Sequence, residues 1–359
     1  MWRYVAPMCA GILLVLGAAE LACRIFPVST ATLTGYYLDP MVLSYPAGHH
    51  WQASTGWDLR RPQTLRANNL GFAAEVDFVP DPDAIGLVGD SYVEASMLRA
   101  QDRPAARLAA HLAADSPDRH RAVYAFGGPG SSLLDYAERM RFAQQRLGLR
   151  DFVLLLEPGD IRQSLCGSGN VHAACLDSVS FEPHIEPLPP PSAAKRLLRH
   201  SALVQYVAGQ LKLDPVRLWR QAFPGVGTAT AAAPQTLSEH TAAHSGPSAR
   251  QTALLDAVTT AFFDRIRPLT VRQLVLVLDG RRTPSALSQA PMGPAGVMQE
   301  RDAFMALAHR LGAVVVDAEP AYRSHWGRST LSLSVSPQDD HLNPLAVDMV
   351  MRSAADALK

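Results

Sequence analysis

A serine, an acid and a histidine in two short stretches are the residues of this chain whose types and spacing suit covalent chemistry. The first stretch is Ile85-Gly86-Leu87-Val88-Gly89-Asp90-Ser91-Tyr92. An apolar run stops at glycine and acid, and a helix-like pattern starts at Ser91. That pattern reads as a buried parallel strand ending in a tight turn, with Ser91 at a helix N-terminus. Ligands of open α/β sheets bind at the carboxyl ends of the strands, and the unpaired N–H groups of a helix start stabilise negative charge. A serine there suits a nucleophile whose attack creates an oxyanion; the plainer role for Asp90 or Ser91 is to cap the helix. The second stretch is Gln338-Asp339-Asp340-His341-Leu342-Asn343-Pro344, expected to form a turn entering the last helix. An acid two residues before a histidine can supply a base and its orienting carboxylate from one loop. The chain order Ser…Asp-His is one in which serine triads occur.

The elements that must position these groups alternate in the βαβ manner. Strands are predicted near 85–88, 122–126, 152–156, 274–278 and 314–316. The run Phe152–Leu156 is apolar throughout and therefore buried on both faces. A helix is expected directly after Ser91, with Leu98, Ala105, Leu108 and Leu112 at its apolar positions. Others are expected near 133–147, 298–311 and 345–358. Five parallel strands with right-handed crossovers give a three-layer α/β/α flavodoxin-like sandwich.

Taken together, these residues resemble the SGNH (GDSL-type) hydrolase family. Gly89-Asp90-Ser91 looks like its nucleophile block, and Asp339-Asp340-His341 like its closing acid–histidine block. Phe126-Gly127-Gly128-Pro129-Gly130-Ser131 resembles the second block, whose glycine donates an oxyanion N–H, a role that falls on Gly130. The resemblance covers roughly 65–160 and 270–357 and implies the same sandwich fold. There are two departures. Where the family's third block offers an asparagine as a side-chain oxyanion donor, Leu154-Leu155-Leu156-Glu157-Pro158-Gly159-Asp160-Ile161 has Gly159, and losing one such donor costs several kcal/mol. Asn170, in the next loop, is the candidate substitute, although the sequence does not fix its position, and Asp160 is expected to orient the loop. The family's closing acid often lies three residues before the histidine, where Gln338 stands; Asp339 is assigned the role, with Asp340 as the alternative.

The length accommodates one large or two small domains, and an apolar content of 48% supplies a substantial core. With zero formal net charge and no basic stripe, nucleic acid is not expected as a partner. The first 28 residues read as a membrane anchor or signal segment. Val5 to Ala19 is apolar, Arg3 precedes it, and Glu20-Leu21 spoils the usual cleavage positions. Resemblance to SGNH relatives with an uncleaved N-terminal anchor favours a single-pass anchor over secretion after cleavage, and implies a chain tethered to the inner membrane of a bacterium with the rest in the periplasm. Residues 29–80 form a Pro-, Gly- and aromatic-rich juxtamembrane segment, with a β-hairpin as one option, and 81–359 the hydrolase-like domain. An insertion at about 161–250 contains a low-complexity stretch, Gly225–Ser248; a lid over the site and a tolerated surface loop are both open for it. Cys166 and Cys175 have three readings: a local disulfide in an oxidising compartment, a zinc site with His172 and His184, or free thiols. The disulfide is preferred, and neither a metal nor another cofactor is expected. Asp279-Gly280-Arg281-Arg282 closes a strand at the same sheet edge and reads as a solvated turn, with an anion site as its alternative.

The resemblance implies a serine ester hydrolase working through an acyl-serine, on an acylated small molecule or envelope or exported carbohydrate. A polysaccharide O-acyltransferase and a non-catalytic glycan- or assembly-binding relative are the competing readings.

Overall fold

The chain was analysed as a computed structural model that describes residues 2–30, 33–118, 120–186, 188–211, 249–288, 295–337 and 339–359. Gly225–Ser248 and Gln338 lie outside the described residues. The chain divides into two compact units.

The larger unit draws on Thr34–His49, Arg66–Leu188 and Thr236–Lys359. Its centre is a parallel sheet of β1 (Ile85–Gly89), β2 (Val123–Gly127), β3 (Asp151–Leu156), β4 (Gln273–Leu278) and β5 (Val314–Asp317), in the spatial order β5-β4-β3-β1-β2. The order reverses between β1 and β3, the crevice where doubly wound folds bind ligands, and β1 is the strand that delivers Ser91. All of β1 and β3 is buried. Their side chains alternate between two cores, as the period of two demands. Val88, Leu154, Leu156 and Leu276 join one; Leu87, Val153, Leu155 and Val277 join the other. The first core is covered by α3 (Leu133–Leu147), α4 (Ala249–Ile266) and α5 (Ala295–Arg310), the second by α2 (Pro104–Asp115), α6 (Glu319–Trp326) and α7 (Pro344–Ala357). This is the three-layer sandwich expected from the sequence. Each fully buried Leu or Phe contributes about 1.5–3 kcal/mol.

Two local expectations are corrected. The helix after Ser91 is not continuous: α1 spans only Ser91–Glu94 and ends at Ala95, which adopts a left-handed conformation with φ of 45°. Buried Asp102 then gathers Arg99 and Arg107, at 2.7 and 2.5 Å, before Pro104 opens α2. The apolar spacing hid this break because Val93, Ala95 and Leu98 all reach the same core. The histidine stretch is a strand and not a turn: Asp339–Leu342 pairs antiparallel with Ser334–Ser336. Asn343 then caps α7, its side chain accepting the Ala346 N–H at 3.0 Å.

The smaller unit draws on Met1–Leu33, His50–Leu65 and Pro189–Gln235. Its N-terminal helix Trp2–Ile25 contains a 22-residue stretch, Tyr4–Ile25, long and apolar enough to cross a membrane. Strands His50–Thr55 and Arg60–Arg66 form a hairpin. Gln210 pins its end by donating to the Ser54 and Gly56 carbonyls, at 2.9 and 2.8 Å. A second hairpin, Gly35–Asp39 with Val42–Ser44, belongs to the larger unit. A short α-turn at Ala202–Val204 runs into a π-turn at Gln205–Gln210.

Candidate active site

Ser91 follows directly on β1, and close approach of the neighbouring strands fixes it there. A Cβ at Gly127 would lie 2.5 Å from the Glu94 backbone, and one at Gly89 would lie 2.8 Å from the Leu155 carbonyl. Only glycines let the turn carrying Ser91 sit down onto β2 and β3. Asp90 caps α1, accepting the Tyr92 N–H at 2.8 Å. Asp90 therefore does what capping predicts, and its other carboxylate oxygen lies 3.3 Å from Ser91 Oγ.

Across the sheet edge, the Ser334–Leu342 hairpin brings His341 to the serine. His341 Nε2 lies 2.8 Å from Ser91 Oγ, and His341 Nδ1 lies 2.6 Å from Asp339 Oδ1. The same carboxylate oxygen accepts the His341 backbone N–H at 3.2 Å. A carboxylate only accepts, so Nδ1 carries the proton and Nε2 is the acceptor for the Ser91 hydroxyl. The relay is half-buried, with the Asp339 and His341 side chains 22% and 29% exposed. Asp340, the alternative acid, is exposed and contributes only its carbonyl oxygen.

The glycine loop after β2 is tied to β1 from below. Gly128 N–H donates to the Gly89 carbonyl at 3.2 Å. Arg139, fully buried on α3, donates to the same carbonyl at 2.8 Å and to Ser131 Oγ. Gly130 has a φ of +75°, a conformation that favours glycine. Its carbonyl accepts the Val171 N–H at 2.8 Å, while its own N–H has no acceptor among the described residues. Val171 sits in the loop closed by the Cys166–Cys175 disulfide. The disulfide expectation is met. It removes the zinc alternative, because both sulfurs are spent on each other.

The space beside Gly159 is filled by its neighbours. A Cβ at Gly159 would fall 2.3 Å from Glu157 Oε1 and 2.7 Å from Gln163 Nε2, and these two side chains hydrogen-bond to each other at 2.8 Å. The disulfide loop brings Asn170 to this pair, where its amide donates to Gln163 Oε1 at 2.6 Å. Asp160 does orient the loop: fully buried, it accepts the Glu157 N–H at 2.9 Å and the Tyr136 hydroxyl at 3.0 Å.

Acids line the carboxyl ends of β1, β3 and β4, and burial raises each of them. Asp90 is pushed up by burial, against the pull of the Tyr92 amide and of His341. Burial and then the Asp90 charge raise both Glu157 and Asp160. Burial also raises Asp279, opposed by Arg282 and by the Tyr322 hydroxyl at 2.6 Å.

Two further residues of the site had not been read from the sequence as such. Arg282 is not in a solvated turn. It is mostly buried, pairs with Asp279 at 3.2 Å, and donates to the Tyr92 hydroxyl at 3.0 Å and to the Asp340 carbonyl. Its guanidinium lies 5.7 Å from the centre of the Tyr92 ring, and that ring lies 4.9 Å from the imidazole of His341. Arg282 and Tyr92 thereby clamp the hairpin that carries the relay. The signals were faint: a tyrosine next to the serine, and an arginine just past a strand end. Arg139 gave a clearer one, a charged residue on the otherwise buried face of Tyr136, Met140 and Ala143.

No family model matches the chain, and no curated protein sequence does. Among solved structures, LAE5, an α/β hydrolase enzyme from the metagenome of Lake Arreo in Spain, aligns with a TM-score of 0.43 at 14% identity. That alignment covers 78% of this chain and 96% of LAE5. Axe2, an acetylxylan esterase from Geobacillus stearothermophilus, aligns with a TM-score of 0.41 at 11% identity, over 78% of this chain and 95% of Axe2.

Proposed function

We propose that the chain is a serine ester hydrolase of the SGNH type, tethered to the bacterial inner membrane with its α/β unit in the periplasm. The observation that supports this reading is the continuous relay from Ser91 Oγ through His341 to Asp339. His341 Nε2 takes the hydroxyl proton as Oγ attacks an ester carbonyl, and Asp339 stabilises the resulting imidazolium. The N–H groups of Ser91 and Gly130 receive the tetrahedral oxyanion. His341 then returns the proton to the departing alkoxide, leaving an acyl-serine. A water deprotonated by the same imidazole releases the acid and regenerates the hydroxyl.

The acylated substrate is an envelope or exported carbohydrate, a choice motivated by the apolar N-terminal helix. If a sugar hydroxyl takes the place of water, the same groups perform O-acyl transfer. A non-catalytic glycan-binding role is the reading to which the Glu157–Gln163 pair in place of the asparagine lends weight.

The test is labelling of the full-length protein with a fluorophosphonate, followed by peptide mapping, alongside p-nitrophenyl acetate turnover. Label on Ser91, with turnover lost in Ser91→Ala and His341→Ala, is the expected result. Equal turnover in all three proteins, or label elsewhere, refutes catalysis at this site. Acetylated product from an added oligosaccharide acceptor would identify the transferase.

A further inference from the structure

We propose that the cleft beside the last turn of the N-terminal helix binds the headgroup of an anionic phospholipid. The cleft encloses about 220 Å³ within the smaller unit, and its walls include Arg24, Phe26, Val28, Arg199, His200 and Ala202. Two arginines thus line a cleft at the end of a segment long and apolar enough to cross a membrane. A headgroup phosphate resides at that level when the apolar stretch occupies the hydrocarbon layer.

The cleft is built and not incidental. Glu20 accepts the Ala202 and Leu203 N–H groups, at 3.0 and 2.9 Å, and the Ser201 hydroxyl at 2.7 Å. Arg24 neutralises Glu20 at 2.8 Å and donates to the His200 carbonyl at 3.3 Å. These bonds hold residues 200–203 against the helix. With Glu20 already paired, the guanidinium of Arg199 is the charge left over: among the described residues its side chain has no hydrogen-bond or ion-pair partner. Guanidinium groups bind phosphate oxygens in a bidentate fork.

The surroundings point to lipid and not to a free anion. Ile25, Phe26 and Leu197 are 76%, 59% and 74% exposed, beside Lys195 and Arg196. Apolar side chains interleaved with basic ones, continuous with a membrane-crossing stretch, are what an anionic bilayer surface accommodates.

The proposal is tested by native mass spectrometry of the full-length protein. The chain is released from detergent micelles doped with equimolar phosphatidylglycerol and phosphatidylcholine. One phosphatidylglycerol retained per chain, in about tenfold preference over phosphatidylcholine, is expected. Arg199→Gln lowers that retention about tenfold, whereas Lys195→Gln, outside the cleft, changes it less than twofold. Equal retention of the two lipids overturns the proposal, and so does an Arg199→Gln variant that retains phosphatidylglycerol as the parent does. An equal loss in Lys195→Gln indicates diffuse attraction and also overturns it. Displacement of the lipid by millimolar inorganic phosphate assigns the cleft to a free anion and does the same. None of these readouts uses ester turnover, so this proposal and the hydrolase reading fail separately.

Discussion

Asp339→Asn and Asp340→Asn separate the two adjacent acids, and the structure makes opposite demands on them. Asp339 Oδ1 holds the imidazole Nδ1–H at 2.6 Å. When Nε2 takes the serine proton, the new positive charge faces a carboxylate about 4 Å from its centre, an interaction of about 4 kcal/mol at an effective dielectric of 20. Both side chains are partly exposed, 22% and 29%, so solvent screening leaves about 3 kcal/mol, or roughly 150-fold in rate. The amide also presents an NH₂ to the ring and selects the wrong tautomer, a defect that in a serine protease lowers kcat by about 10⁴. Asp339→Asn is therefore expected to lower kcat for p-nitrophenyl acetate about 1,000-fold, with KM within about threefold, since no substrate contact is lost. Asp340→Asn keeps the carbonyl that Arg282 and Tyr92 hold and is expected to stay within about threefold of the parent in both constants. An Asp340→Asn variant as damaged as Asp339→Asn, or an Asp339→Asn variant keeping a tenth of the parental kcat, refutes this account of the relay.

Glu94, at the end of α1, is fully buried and raised by burial to about 7, although the Tyr45 hydroxyl donates to it at 2.7 Å and arginines pull the other way. An acid whose folded pKa lies above its unfolded value binds its proton more tightly when folded. Stability therefore falls as pH rises from about 4.5 to about 7, by about 3 kcal/mol in all. Glu94→Gln is expected to flatten the urea midpoint between pH 5 and pH 8; an unchanged slope assigns the pH dependence to another group. The Cys166–Cys175 bond closes a short loop and contributes about 3 kcal/mol through the unfolded chain. The same loop holds Gly130 through the Val171 N–H. The double variant Cys166→Ser/Cys175→Ser is expected to lower Tm and also to lower kcat about tenfold with KM little changed. A fall in Tm with full kcat would show that the loop does not position the oxyanion donor.

What was legible in the sequence and what was not follow from how each residue acquires its place. Ser91 lies at a strand end that periodicity and glycine placement mark before any tertiary contact is known; His341 stood out by the acid two residues before it, although its stretch is a strand and not the expected turn; and Gly130 was assigned through resemblance alone. The layer order was equally open to reading, because runs such as Phe152–Leu156 are apolar on both faces. The break after Glu94 was closed to it: Ala95 is held in a left-handed conformation by packing, and no local residue type demands that. Arg282 was misread for the complementary reason. A charged pair past a strand end is ordinarily solvated, and only the return of the Ser334–Leu342 hairpin, together with Asp279 beneath, buries this one. The third block shows the same limit from the other side. Gly159 looked like a lost donor, yet its missing side chain leaves room for Glu157 and Gln163 to join, and Asn170 is drawn into that pair through a loop set by a disulfide. A substitution to asparagine at this position alone must displace Glu157 before its amide can reach any substrate oxygen. Gly159, Glu157, Gln163 and Asn170 thus form one packed set, in which a change at any one member moves the others.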